Sequence, residues 1–359
     1  MAELLKNEIG KSFVESLSAL IVVQYSAFDR EAFCADVLSS LESLELKERM
    51  YLVRDKLRLY LPRDYSQAID VLIAATPGFS KLPALVFPEF VSAYGLKDWK
   101  KSMQALEVFT RLCSAEFAIR AFIELDAGKA LKQMKVWTES EDEHLRRLAS
   151  EGCRPYLPWA TRVDVLLKSP EPILRILEAL KADKSLYVRK SVANNLNDLS
   201  RLWPDTVLEL AGSWKGFSKE TDWTLKHGLR TLLKDANPSA LELFGYPKPK
   251  GLSLDLLSLA SDSIKIGSRL NVSLSLKRSK GKLGKLRLEY LIGYLKKNGS
   301  HSEKVFQIAD AEFCESKRSW KFAQRMDDMT TRKHYPGSHY LKVRVNGVVK
   351  GRADFELVR

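Results

Sequence analysis

Cysteine and histidine are scarce, at four and five among 359 residues. Cys34, Cys113, Cys153 and Cys314 form no CxxC pair and have no histidine at ligand spacing. That excludes a structural zinc ribbon and a disulfide framework, and favours reduced thiols in a cytoplasmic protein. Cys153 lies near Glu151 but lacks the Asn/His partners of a thiol nucleophile, so it reads as a small buried residue. No apolar run reaches the ~20 residues needed to cross a bilayer. The opening residues Met1-Ala2-Glu3-Leu4-Leu5-Lys6 carry an early acid and no long apolar core, unlike a secretory signal. Net charge is also nearly missing from the first 250 residues, with 36 Lys+Arg against 34 Asp+Glu. The expectation is a soluble monomer with no membrane, metal or cofactor.

The positive charge is concentrated instead at the end. Residues 251–359 hold 22 Lys+Arg against 11 Asp+Glu. Such an excess attracts polyanions, nucleic acid above all, although a merely solvated basic surface has the same composition.

Two periods divide the chain. Up to residue 246 apolar residues recur at helical spacing, as in Ile9, Phe13, Leu17 and Leu20, then Phe33, Val37, Leu41 and Leu44. Leu52, Leu57 and Leu61 follow before Pro62, and Asp64 is placed to cap the next helix. Further helices are expected over 101–124, 127–136, 141–152, 158–168, 170–181, 185–200, 204–212, 221–234 and 238–244. Gly245-Tyr246-Pro247-Lys248-Pro249-Lys250-Gly251 reads as a linker. Beyond it the period is two, in Ile264–Ile266, Leu270–Leu276, Leu286–Tyr290, Tyr340–Val345 and Asp354–Leu357, and Asn346-Gly347 signals a hairpin turn. The expected organisation is a helical repeat domain over 1–246 and a basic, immunoglobulin-like β-sandwich of about seven strands over 252–359.

A single pattern recurs within the helical domain: an apolar residue followed at once by Arg or Lys. It stands in Ala115-Glu116-Phe117-Ala118-Ile119-Arg120, Leu145-Arg146-Arg147-Leu148-Ala149-Ser150-Glu151-Gly152, Val188-Arg189-Lys190-Ser191-Val192-Ala193-Asn194-Asn195-Leu196-Asn197-Asp198 and Leu225-Lys226-His227-Gly228-Leu229-Arg230. The apolar residues of these pairs, Ile119, Leu145, Val188 and Leu225, lie 26, 43 and 37 residues apart, and the last two intervals approach the period of paired-helix solenoids, about 40–47. A solenoid lines its second helices along one concave wall. Three of the four copies place an acid there.

These motifs, with Arg154-Pro155-Tyr156-Leu157-Pro158-Trp159 and Tyr187 preceding the third, resemble the HEAT-like DNA alkylation repair glycosylases over residues 110–245. The appended β domain makes the likeness closest to the AlkC branch, because the AlkD branch ends after its helices. The resemblance implies a mainly α, HEAT-like α-α superhelical solenoid with a C-terminal immunoglobulin-like β-sandwich. It implies a monofunctional DNA N-glycosylase that excises small cationic bases from duplex DNA without flipping them into a pocket. The base implied is chiefly 3-methyladenine; 3-methylcytosine and 1-methyladenine stay open. It assigns catalysis to Asp198, Glu151 and Glu116 and lesion contact to Trp159.

The chemistry suits those residue types. Breaking an N-glycosidic bond builds positive charge on the sugar, which a carboxylate stabilises while holding the attacking water. A cationic base leaves without a proton donor, so acids suffice where histidines are few. Each acid taken alone reads as a solvated i,i+4 partner of a base. Three acids at corresponding places in consecutive repeats argue for a site. Trp159 reads either as a packing anchor or as an aromatic face for a cationic base, while Trp137, Trp203, Trp214 and Trp223 read as core. For phosphate contact the candidates on the wall are Arg120, Arg147, Arg154, Arg189, Lys190, Lys226 and Arg230, some of them expected to be buried stems that bridge repeats. In the β domain they are Lys277, Arg278, Lys280 and Lys282 on one loop, and Arg332 and Lys333 on another. The alternative is a non-catalytic nucleic-acid-binding scaffold, since such solenoids usually bind rather than catalyse. A scaffold for polyanions has no use for Glu151 and Asp198 on its wall.

Overall fold

The structure, a computed structural model, describes residues 5–329 and 333–359. Arg332 lies outside the described residues. Contacts divide the chain into two compact units, Met1–Gly228 and Leu229–Arg359.

The first unit is helical throughout. Helix α1 (Lys11–Gln24) buries Phe13, Leu17 and Ile21, and α2 (Arg30–Leu41) buries Phe33, Val37 and Leu41, each on one 3.6-period stripe. A reciprocal capping box of Glu45 and Glu48 opens α3 (Leu46–Tyr60), which stops at Leu61 ahead of Pro62. Asp64 accepts the Gln67 amide and starts α4 (Tyr65–Ala74). There follow α5 (Val86–Tyr94), α6 (Trp99–Phe109), α7 (Ala118–Leu125), α8 (Ala127–Trp137), α9 (Glu143–Glu151), α10 (Glu171–Leu180), α11 (Leu186–Leu202), α12 (Pro204–Trp214) and α13 (Lys219–Gly228). Helix α3 packs on α5 and α5 on α7; further along, α9 packs on α11 and α11 on α13. Within repeats α2 pairs with α3, α8 with α9 and α10 with α11. The helices of the second, third and fourth motifs, α9, α11 and α13, thus stack as the second helices of consecutive repeats.

Two glycines of the motifs allow close approach between repeats. A Cβ on Gly152 would lie 2.5 Å from Ile119 Cγ2, and one on Gly228 would lie 2.9 Å from Leu196 Cβ. The small residue in each motif lets one repeat seat against its predecessor.

Three expected helices differ. The segment 101–124 is broken between Phe109 and Ala118 by turns with no Gly or Pro to announce them. Residues 158–168 form a loop and a 3₁₀ turn, Asp164–Leu167, with an arginine from α7 taking the Thr161 carbonyl. The segment 221–234 breaks at Leu229 into α13 and α14 (Arg230–Lys234).

The second unit begins with α14 and α15 (Pro238–Leu243) and continues as a sandwich. Strands β1 (Leu252–Leu259), β3 (Arg269–Arg278) and β6 (Lys317–Arg325) form one sheet. Strands β2 (Ser263–Lys265), β8 (Val348–Val358), β7 (Gly337–Val345), β4 (Gly284–Leu295) and β5 (His301–Phe313) form the other, in that order. Alternate residues Leu270, Val272, Leu274 and Leu276 meet Leu286, Leu288, Ile292, Leu341, Val343 and Val345 in its core. Asn346 (φ 45°) and Gly347 (φ 81°) turn β7 into β8, the two positive φ values a type I′ hairpin needs.

Buried polar groups strap the helical start of this unit to the sheets. Glu289, 1% exposed, pairs with Arg287 at 2.7 Å and with Arg344 at 2.8 Å. Arg344 donates to the Lys234 carbonyl, Tyr246 to Asp310, and Lys285 to the Phe244 carbonyl. The boundary expected between residues 246 and 252 therefore falls inside the second unit.

Candidate active site

Everything at the site depends on how the chain from Gly152 to Val163 is held. Arg120 on α7 is 3% exposed and uses its guanidinium as a clamp. It donates to the carbonyls of Gly152 (3.2 Å), Arg154 (2.9 Å) and Thr161 (3.0 Å). Those are orphan carbonyls past the end of α9, which one planar side chain satisfies. Arg120 is thus buried and fully engaged.

The clamp presents Arg154 to the acids. Its Nη1 donates to Glu151 Oε1 at 2.6 Å; its Nε and Nη2 donate to Asp198 at 2.8 and 3.3 Å. One turn before Glu151, Arg147 donates from Nη1 to Glu116 Oε2 at 2.8 Å and to Ser114 Oγ at 2.6 Å. Its other terminal nitrogen lies 3.9 Å from Glu151 Oε2. Glu116, Arg147, Glu151, Arg154 and Asp198 form one alternating line across three motifs. The structure brings together all three acids picked out in the sequence.

The line is largely dry. Glu151 is 5% and Asp198 4% exposed. Burial holds the Asp198 carboxyl above the usual carboxylate range, although Arg154 and the Tyr156 amide N–H pull it down. Burial does the same to Glu116, against the pull of Arg147. Burial opposes the charges of Arg147 and Arg154 as well, but their acid partners outweigh it and hold both guanidiniums charged. Taking paired charges out of water without full repayment indicates a site kept for something other than stability.

Aromatic side chains lie at both ends. Trp159 is 64% exposed, and its backbone sits at φ 67°, where a bulky side chain is strained by ~1–3 kcal/mol. Tyr156, whose amide N–H meets Asp198, is itself exposed. Tyr187, also exposed, lies 4.9 Å from the Arg147 guanidinium carbon, at the Glu116 end. Behind the line Ser150 donates to Ser191 at 2.6 Å and Asn195 to the Ser150 carbonyl at 2.8 Å. The third motif therefore seats on the second through polar contacts that its sequence carries.

Other basic residues are disposed differently. Arg146 ties repeats together through Asp183 at 2.6 Å. Arg189 donates to the Asp183 and Lys184 carbonyls and lies over Trp223. Lys190 and Lys226 are exposed. Arg230 is half-buried at the start of α14, in the second unit. In the β domain Lys277, Lys280 and Lys282 are exposed, and Lys333 is exposed beyond the undescribed residues. Arg278 donates to the Leu283 carbonyl and so holds its own loop. Among the described residues no group of three or more His, Cys, Asp and Glu could hold a metal ion. No helix among them is long and apolar enough to cross a membrane.

Comparison with known proteins agrees with this geometry. Residues 108–230 match the family described as DNA alkylation repair enzyme, and residues 253–359 match the C-terminal Ig-like domain of uncharacterised protein YhaZ. The chain is 40% identical over 355 residues to uncharacterised protein YhaZ of Bacillus subtilis, covering 98% of this chain and 99% of that one. It is 38% identical to the alkylpurine DNA glycosylase AlkC of Pseudomonas fluorescens, solved bound to DNA containing an abasic site analog. That match has a TM-score of 0.93 and covers 99% of both chains.

Proposed function

Because this chain belongs to the DNA alkylation repair enzyme family, in the AlkC-like branch with its C-terminal Ig-like domain, we propose that it is a monofunctional DNA glycosylase for small cationic alkylated bases in duplex DNA. The observation that carries the reading is the buried line Glu116–Arg147–Glu151–Arg154–Asp198, with Trp159 exposed on the loop that follows Arg154. Its preferred substrate is 3-methyladenine, with 3-methylcytosine and 1-methyladenine as lesser ones. It acts as a monomer on the chromosome, in the cytoplasm.

As the C1′–N bond lengthens, its electron pair moves to the base and cancels the charge there. Positive charge appears on the sugar, where Asp198 and Glu151 stabilise it. One carboxylate also orients water, whose oxygen bonds to C1′ and whose proton passes to that carboxylate and then to solvent. The base leaves neutral and needs no acid, which agrees with the absence of histidine from this line. The cations beside the acids are guanidiniums, which form no Schiff base at C1′, so water is the nucleophile and the strand is not nicked. Trp159 lays its ring against the cationic base, and a wall open enough to leave it 64% exposed suits a lesion read without flipping. Exposed Lys190 and Lys226 and the loop Lys277–Lys282 supply phosphate contacts.

Release of base from methylated duplex, with and without Glu151→Gln and Asp198→Asn, tests this. Release by the wild type, lost in each variant and less than multiplicatively in the double, supports it. Tight duplex binding with no release would make the protein a scaffold.

A further inference from the structure

The Trp159 backbone is held from a second direction. Its carbonyl accepts a hydrogen bond at 2.5 Å from the ammonium of Lys47, 112 residues earlier, in the first turn of α3. Residues Trp159–Thr161 line a cavity of about 200 Å³ whose apolar walls include Met50, Leu85, Phe117 and Ala121. Arg120 fixes the loop at Gly152, Arg154 and Thr161, on either side of the strained residue at 159 but not at that residue itself. Lys47 supplies the missing hold.

The surrounding charges orient that ammonium. Glu89 on α5, its side chain 13% exposed, lines the same cavity, and Lys47 acts on it electrostatically. Arg54 approaches Glu89 to 3.9 Å, and Glu124 of α7 lines the far wall. Lys47 donates to one carbonyl and feels the charge of the half-buried Glu89 carboxylate, which together orient it although its surface is exposed.

We propose that Lys47 is a positioning residue that holds the Trp159 backbone in its left-handed conformation and thereby sets the indole against the lesion. This rests on the reading of Trp159 as the lesion contact. Lys47 belongs to the N-terminal repeats, so a residue outside the matched motif region governs the lesion-contacting group within it.

A double-mutant cycle on the full chain tests the proposal. Single-turnover release of 3-methyladenine from methylated duplex, at saturating enzyme, should fall about three- to tenfold in Lys47→Met, as for loss of one solvent-exposed hydrogen bond. Lys47→Arg should restore it. In a Trp159→Ala background Lys47→Met should have no further effect. A second readout needs no DNA: acrylamide quenching of the emission that Trp159→Ala removes should increase in Lys47→Met. An equal loss in both backgrounds would make Lys47 an ordinary phosphate contact and overturn the proposal, as would unchanged release and unchanged quenching in Lys47→Met. Full activity of Trp159→Ala alone would remove Trp159 from the site, and the proposal with it. The quenching measurement separates that outcome from failure of the Lys47 hold.

Discussion

Asp198→Asn should separate catalysis from stability. The carboxylate is 4% exposed and meets Arg154 at 2.8 and 3.3 Å, yet burial still holds it above the usual carboxylate range. The folded chain therefore binds this proton more tightly than the unfolded chain. Between the ordinary and the raised pKa the native state carries more protons, so stability falls as pH rises through that window. At neutral pH the ionised side chain is a net burden on folding. Asparagine removes the burden and leaves Arg154 its 2.6 Å contact with Glu151. The stability change should stay within ~1 kcal/mol, a shift of about 2–4 °C in Tm for a unit of this size. Release should fall about 10²–10³-fold, ~2.7–4 kcal/mol, the range for removing one preorganised charge-stabilising group.

Arg154→Leu is the control. It strands Glu151 and Asp198 as buried, uncompensated acids, at ~3–5 kcal/mol, or roughly 6–20 °C in Tm. Thermal denaturation and single-turnover release on one methylated duplex measure both quantities. The acid limb of the wild-type rate should lie above the ordinary Asp value of about 3.9, because the reaction needs the ionised form of a group whose pKa is raised. The reasoning is refuted if Asp198→Asn melts as early as Arg154→Leu, or releases base at the wild-type rate.

Trp159→Gly relieves a positive φ of 67° at an exposed position; it should stabilise the fold by about 0.5–1 kcal/mol in urea titration while lowering release. Gly152→Ala would put a Cβ 2.5 Å from Ile119 Cγ2 and 3.2 Å from the Leu148 carbonyl, and should cost about 1–3 kcal/mol in the same titration. Replacing Lys277, Lys280 and Lys282 together with serine should make the log–log salt dependence of duplex affinity shallower, by about 0.9 for each phosphate no longer neutralised. The Tm should not change, because all three are exposed.

What could be read in the sequence was what local periodicity encodes. The stripes of α1 and α2, the Asp64 cap and the Asn346-Gly347 turn each depend on neighbours within a few residues, and each is present. The three acids were legible because a repeat turns a long-range juxtaposition into a short-range pattern. The loop from Gly152 to Val163 was not legible. Its conformation is imposed by Arg120, which donates to carbonyls 32, 34 and 41 residues away, and no window of sequence contains that relation. The same applies to Lys47. Tyr187 is legible as the large aromatic where the third motif begins, but nothing in the sequence gives it a place beside Arg147. The sequence pattern does not show the edge strands β1, β5 and β6, because their partly exposed residues alternate weakly. The Ig-like match begins at residue 253, as expected, while contacts divide the chain earlier because α14 and α15 are helical in pattern but attached to the sheets by Arg344, Lys285 and Asn346.

The acid line has a mechanical consequence. Glu116 precedes α7, Glu151 ends α9 and Asp198 belongs to α11, and each connecting guanidinium spans a gap between repeats. The spacing of the three carboxylates is therefore fixed by the pitch of the stack, not by any single loop. Solenoids flex by small rotations that add along their length, so a force opening the curve would stretch Arg147–Glu116 and Arg154–Asp198 together. The line behaves as a gauge of curvature: the constellation is in register at one pitch, and a duplex that imposes another would disarm it without touching any of its residues.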